Sequence, residues 1–201
     1  MNFFLRVAAY FFHPLFIPFL GAVIYYNVSP RFLEIELVKT KIAAIVIITI
    51  LIPIVTFFLL KNLNLVENIY LKKVKERKYP LMIQCLLLLI IIKMVYTPYD
   101  SIEMYYFFIA LLFSGLTALL LVIFGFKVSL HQIGISSLTM FIIALSIHFQ
   151  INLLLLIGFF LFANGWVASS RLHTKSHSVL EITIGFFIGF LPQLILSNYW
   201  V

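Results

Sequence analysis

The stretch Met104–Phe126, MYYFFIALLFSGLTALLLVIFGF, contains no charged side chain. A bilayer's hydrocarbon core is about 30 Å thick, and a helix needs about 20 apolar residues to cross it. This run is long enough, and it reads as a transmembrane helix. Working outward, six more stretches qualify or nearly do: Phe3–Tyr26, Ile42–Leu60, Leu81–Tyr96, Gly134–Phe149, Ile151–Val167 and Val179–Leu196. A closed barrel is the other way to satisfy backbone groups in lipid, but its strands alternate polar and apolar residues and these runs do not. The expected fold is an all-α polytopic transmembrane helix bundle of six to seven spans. The third and fifth spans are short, which predicts less tilt or burial within the protein. His13-Pro14 and Pro18 predict a bend in the first.

Composition agrees. The chain has 201 residues, 64% hydrophobic and 10% charged, with a mean hydropathy of +1.14. Soluble domains are about half apolar and a quarter charged. The net charge of +7 sits in short loops between apolar runs. That placement fits bilayer orientation, anionic headgroups or a phosphate-bearing substrate rather than nucleic acid. The opening MNFFLRVAAYFF lacks a small-residue cleavage site and reads as a retained span. With no internal repeat and no linker, residues 1–201 read as a single membrane domain, with two spans in 1–60 and the polar clusters in 61–201.

Counting crossings puts those clusters on one side. With the start of the first span on side A, the segments Lys61–Pro80, Lys127–His131 and Ser169–His177 all return to A. Side B receives Asn27–Lys41, Thr97–Glu103 and little more than Gln150. In the first cluster Lys73 and Arg77 are spaced i, i+4, so a helical run before Pro80 would present both cations on one face as a phosphate clamp. The bland reading is a basic loop touching headgroups. The second cluster, Lys127-Val128-Ser129-Leu130-His131, sets a cation, a hydroxyl and an imidazole ahead of a span. In the third, Ser170-Arg171 precedes His177, and Glu181 follows His177 at i, i+4, within reach of its ring. A carboxylate there fixes the tautomer of the histidine and stabilises its cationic form. An acid entering an apolar span is by default a functional candidate, and its bland reading is a helix cap.

These clusters resemble the motifs of the phosphatidic acid phosphatase type 2 and haloperoxidase superfamily. The family's third motif is Ser-Arg, five residues, His, three residues, Asp. Ser170-Arg171, His177 and Glu181 reproduce it with Glu for Asp, and Gly185 and Gly189 resemble the small residues of its last helix. The second motif, Pro-Ser-Gly-His, becomes Val128-Ser129-Leu130-His131. The first, Lys, six residues, Arg-Pro, fits less well. Anchored on Pro80 it gives Lys72 and Tyr79, and anchored on Arg77 it gives Tyr70, so Arg77 and Lys73 are the nearest substitutes. The resemblance covers roughly Lys72 to Gly189. It implies a metal-independent hydrolase without cofactors, acting on a lipid phosphate or diphosphate. His177 would be the nucleophile, Glu181 its orienting acid and His131 the proton carrier. Arg171, Arg77, Lys73, Lys127, Ser129 and Ser170 would hold the phosphate. It also implies a core of six helices, so one span would be peripheral, in a bacterial inner membrane. The expected partners are the bilayer and a phosphate-bearing membrane lipid, and no oligomeric state follows.

Two other readings use the same residues. A degenerate family member would bind phospholipid or a protein without turnover, which the altered first and second motifs favour and the retained His131, Arg171 and His177 oppose. A small transporter would suit the broken first span and the glycines, but ionisable residues are missing from the middle of most spans. The two indications of orientation oppose each other. Side A carries Arg6, Lys61, Lys72, Lys73, Lys75, Arg77, Lys78, Lys127, Arg171 and Lys175, against Arg31, Lys39 and Lys41 on B, with Lys93 near the B end of its span. The positive-inside rule puts A in the cytoplasm, whereas the resemblance implies the periplasm.

Overall fold

The computed structural model describes residues 2–32, 34–68, 71 and 73–201, with only the backbone of Asn2 and Arg6. Tyr70 and Lys72, weighed above for the first motif, lie outside the described residues, as does the side chain of Arg6. Eight helices make up the described chain. They are α1 (Asn2–Phe11), α2 (Ile17–Val28), α3 (Ile35–Asn62), α4 (Lys78–Met94), α5 (Ile102–Ile123), α6 (Leu130–His148), α7 (Leu154–His173) and α8 (Val179–Ser197).

Five of them, α3 and α5 to α8, are long and apolar enough to cross a membrane. The pair α1 and α2 makes a sixth if counted as one span bent by 42°. The protein is therefore multi-pass by helix length and hydropathy. The bend falls where the prolines predict it: His13 caps a 3-10 turn, Pro14–Phe16, with its Nδ1 accepting from Leu15 N. Pro18 then sits in the first turn of α2, where no helical N–H is needed. The short third stretch is α4, with 17 residues. It starts at Lys78, ahead of Pro80, for the same reason. α3 is longer than its apolar run and contains a π-helical turn, Ile47–Leu51, just before Pro53.

The short fifth stretch became the central helix. The most apolar part of α6 is 72% buried, against 11% to 39% for the other four. Its buried polar side chains find partners inside the protein, Gln132 Oε1 excepted among the described residues, because an unpaired polar group in lipid is costly. Gln132 Nε2 donates to Asn164 Oδ1 at 2.9 Å, Asn164 Nδ2 donates to Thr139 Oγ1 at 2.7 Å, and Gln193 Nε2 donates to Ser137 Oγ at 2.9 Å.

Helix α8 lies closest to α6 because two glycines permit it. A Cβ on Gly185 would stand 3.0 Å from Ser129 O, and one on Gly189 would collide with Ile133 O and Ser136 Oγ. This small-residue contact fixes the start of α8 beside the start of α6, where the second and third sequence clusters lie.

Candidate active site

The starts of α4, α6 and α8 lie at one end of the bundle, together with the end of α7. Direct bonds join them. Arg77, buried and last in the 3-10 turn Val74–Arg77, donates from Nη1 to Val128 O at 2.9 Å and from Nε to Leu71 O at 3.1 Å. Ser129 N donates to Glu181 O at 3.3 Å, and Lys127 Nζ donates to Ser176 O at 2.7 Å. The three clusters that crossing parity put on one side are thus packed together.

At the centre, His177 Nδ1 lies 2.6 Å from Glu181 Oε2. A carboxylate accepts, so Nδ1 carries the proton and Nε2 keeps its lone pair. Glu181 performs the bland role as well. Its Oε2 accepts from Ser178 N while Ser178 Oγ accepts from Glu181 N, which closes a capping box on α8. One carboxylate therefore caps the helix and orients the imidazole. Burial lowers the pKa of His177, and the nearby Arg77 and Lys127 lower it further against the opposing pull of Glu181, to about 4. The ring is neutral at pH 7. Burial also pulls Lys127 below the usual amine range, with Arg77 adding to the effect.

His131, in the first turn of α6, places Nε2 3.1 Å from Ala9 O of α1. The carbonyl can only accept, so this bond fixes the proton on Nε2 and leaves Nδ1 to exchange protons. The His13 ring meets it edge-on at a centroid distance of 5.2 Å, and Arg171 and His177 lie within electrostatic range of it. Sequence reading used His13 only as part of a bend, and its place beside His131 depends on how α2 packs against α6.

Arg171 and Ser170 occupy the last turn of α7 rather than a loop. Arg171 Nη2 donates to the buried Ser170 Oγ at 3.2 Å, while Arg171 Nε is buried with no hydrogen-bond partner among the described residues. Ser129 is fully buried as the N-cap of α6, accepting from Gln132 N at 3.4 Å. Its place is a helix cap that spaces Lys127 from His131.

The expected clamp of Lys73 with Arg77 does not form. Lys73 is extended (φ −77°, ψ 133°), and the chain coils only from Val74, in a 3-10 turn, so no α-helical face holds the two at i, i+4. Lys73 is exposed and paired with Glu67. The expectation that polar groups gather at one interface needs a similar correction. Glu103, expected in a loop, lies wholly buried in the first turn of α5 at the opposite end, with Arg31, His148 and Tyr25 around it.

None of Arg77, Lys127 and Arg171 has a carboxylate ion-pair partner among the described residues, and Glu181 is the acid that acts on the first two. No three His, Cys, Asp or Glu side chains among the described residues converge as metal ligands. The fold and this end of the bundle define an all-α multi-pass membrane protein with a histidine–carboxylate pair set among cations. Compared with family models, curated proteins and solved structures, the chain matches none.

Proposed function

We propose that this protein is a membrane-bound lipid-phosphate phosphatase working through a phosphohistidine, with its site at one face of a bacterial inner membrane. The observation that carries the reading is the excess positive charge: a neutral histidine, oriented by a carboxylate, with Arg77 and Lys127 beside it and Arg171 beside His131, all three bonded only to neutral groups among the described residues. A phosphate dianion supplies the missing negative charge and an acceptor for Arg171 Nε. The helix N-termini of α4, α6 and α8 at this end add their partial positive charge.

Chemistry follows from the two tautomers. His177 Nε2 attacks phosphorus and forms a P–N bond as the bond to the leaving oxygen breaks, and His131, which takes up a proton at Nδ1 as the phosphate dianion binds beside it, passes that proton to the leaving oxygen. Glu181 offsets the positive charge on His177. Water then attacks the phosphorus, His131 Nδ1 takes its proton, and the P–N bond breaks to release phosphate. Arg77, Lys127 and Arg171 stabilise the equatorial oxygens in both steps. Ser170 and Ser129 position Arg171 and the start of α6. The motif resemblance supports the same roles.

Phosphate release by purified protein in detergent tests this, with EDTA present. The panel is phosphatidic acid, phosphatidylglycerophosphate, a polyprenyl diphosphate and a phosphorylated glycolipid. His177→Ala is expected to lower release by about a thousandfold or more. Failure of folded wild-type protein to release phosphate from any of them would replace the enzyme by a phospholipid-binding protein.

A further inference from the structure

Gln132 Oε1 on α6 and Arg171 Nε on α7 are both buried with no hydrogen-bond partner among the described residues. They differ in kind. Arg171 Nε can only donate, and Gln132 Oε1 can only accept. A phosphate oxygen satisfies the first. It does nothing for the second, because a phosphate dianion brings acceptors and no proton. Gln132 needs a ligand of another chemistry.

That Oε1 rather than Nε2 is the free atom follows from bonds that end on the backbone. Thr139 Oγ1 donates its proton to Ile135 O at 2.7 Å, so it can only accept from Asn164. The Asn164 amide nitrogen also donates to Phe160 O at 2.8 Å, and a carbonyl cannot donate. Both anchors turn Asn164 Oδ1 toward Gln132, which must meet it with Nε2. The Gln132 oxygen is thereby held away from Asn164, in a residue only 2% exposed. An unmet carbonyl in such a place is costly, and a buried water is its common partner.

This oxygen lies beneath the reacting groups. Gln132 follows His131 in the first turn of α6. A Cβ on Gly185, one turn along α8 from Glu181, would stand 3.4 Å from Gln132 Cβ. On α7, Asn164, Ala168 and Arg171 are spaced four and three residues apart, a stripe that leads from the Gln132 amide toward the Arg171 side chain. Side chains on a helix tilt toward its start, so Arg171 reaches back along that stripe. His131 Nδ1 and Gln132 Oε1 are then open acceptors on adjacent residues.

We propose that Gln132 Oε1 positions the water that hydrolyses the phosphohistidine. The assignment rests on the phosphatase reading and adds a residue outside the three motifs. A water aimed at phosphorus has two protons to place. One passes to His131 Nδ1 as the O–P bond forms and the P–N bond to His177 breaks. The other stays on the oxygen, hydrogen-bonded to Gln132 Oε1, and leaves with the phosphate. In the first step the oxygen at that place is the bridging oxygen of an ester or anhydride. It carries no proton, so Gln132 acts on the second half of the reaction only.

Gln132→Met keeps the length of the side chain and removes the acceptor. In substrate-saturated enzyme, the ratio of phosphorylated to unphosphorylated His177 equals the rate of phosphorylation divided by that of hydrolysis. Alkaline quenching and mass spectrometry read it, with the lipid that wild type hydrolyses fastest. The ratio is expected to rise about tenfold or more in Gln132→Met, while kcat/KM, which extends only to phosphorylation, stays within about twofold. Gln132→Asn withdraws the oxygen by about one bond length, 1.5 Å, and must raise the ratio as well, which covers a methionine variant that does not fold. Thr139→Val breaks the same buried network at its far end but leaves the Phe160 anchor, and is expected to keep the ratio within about twofold of wild type. An unchanged ratio in the Gln132 variants, or an equal rise in Thr139→Val, overturns the role of Gln132 and leaves the phosphatase standing. A wild type that releases no phosphate overturns the phosphatase, and the role of Gln132 with it.

Discussion

Among its described residues the bundle holds two histidine–carboxylate pairs, one at each end. At the His148 end, Glu103 is wholly buried and both its oxygens accept hydrogen bonds. Arg31 Nη2 donates at 2.5 Å, His148 Nε2 at 3.1 Å and Tyr25 Oη at 3.1 Å. Trp200 meets the His148 ring edge-on at 5.3 Å, and Arg31 lies over Phe149. The buried acid there has Arg31 as its ionic partner. At the His177 end the carboxylate holds one imidazole and one backbone N–H, and three cations lack an acid of their own. Pairing of the same residue types gives a latch in one place and, in the proposed reading, an anion site in the other. What separates them is the balance of charge around the pair, not the pair itself.

The most direct way to break this comparison is to neutralise each acid in turn. Glu181→Gln removes the charge that stabilises the reacting His177 but can still close the capping box. Phosphate release is expected to fall about a hundredfold or more, with stability held within about 1 kcal/mol. Glu103→Gln removes the partner of Arg31 at a buried site, where breaking a pair costs about 3 to 5 kcal/mol. The low end is expected, since the Arg31 side chain is 42% exposed and can reach water. Turnover is expected to stay within about threefold of wild type, because nothing at that end touches the reaction. Unfolding midpoints and kcat measured in one detergent decide it. A large loss of turnover in Glu103→Gln with unchanged stability would end the division into latch and site.

A smaller effect sharpens the electrostatics. In the proposed mechanism His177 attacks only when neutral. Its folded-state pKa is depressed first by burial and then by Arg77 and Lys127, so the acid limb of kcat/KM is expected below the ordinary imidazole value of about 6.5. Lys127→Met removes one depressing cation. The pKa of His177 must then rise, and the limb must move toward higher pH by about half a unit. Loss of a phosphate contact lowers the plateau about tenfold as well. The pH profiles of the two proteins give both numbers. A limb that stays fixed or moves to lower pH would show that Lys127 does not face His177.

What the sequence disclosed about these two ends follows the range of each interaction. His177 and Glu181 are i, i+4 neighbours, so their pairing needed only a helix start at Val179. The apolar runs and the glycines of α8 were equally local signals. The bonds that cross between elements were not legible: Arg77 to Val128, His131 to Ala9, and His13 against His131 all depend on which helices pack together. Glu103 was missed for a related reason. An acid at the edge of an apolar run reads as a loop residue until Arg31, from another loop, is seen to cover it. The bond between Gln132 and Asn164 was not legible either, because it depends on how α6 packs against α7.

The smallest expected effect comes from the residue whose reading failed most plainly. Lys73 was paired with Arg77 on the assumption that the segment before Pro80 coils as an α-helix. Proline tolerates the first turn of a helix, so α4 begins at Lys78 and the preceding residues form only a single 3-10 turn. Arg77 turns inward to Val128, while Lys73 stays exposed against Glu67. An exposed pair of this kind contributes little to stability and is screened by salt. Lys73→Ala is therefore expected to leave kcat/KM on dispersed phosphatidic acid within about twofold. Any residual loss should vanish at high ionic strength, as it would for a lysine that only attracts anionic lipid to the surface. A tenfold loss that persists in high salt would place Lys73 on the substrate phosphate, and would require the segment before Val74 to rearrange when lipid binds.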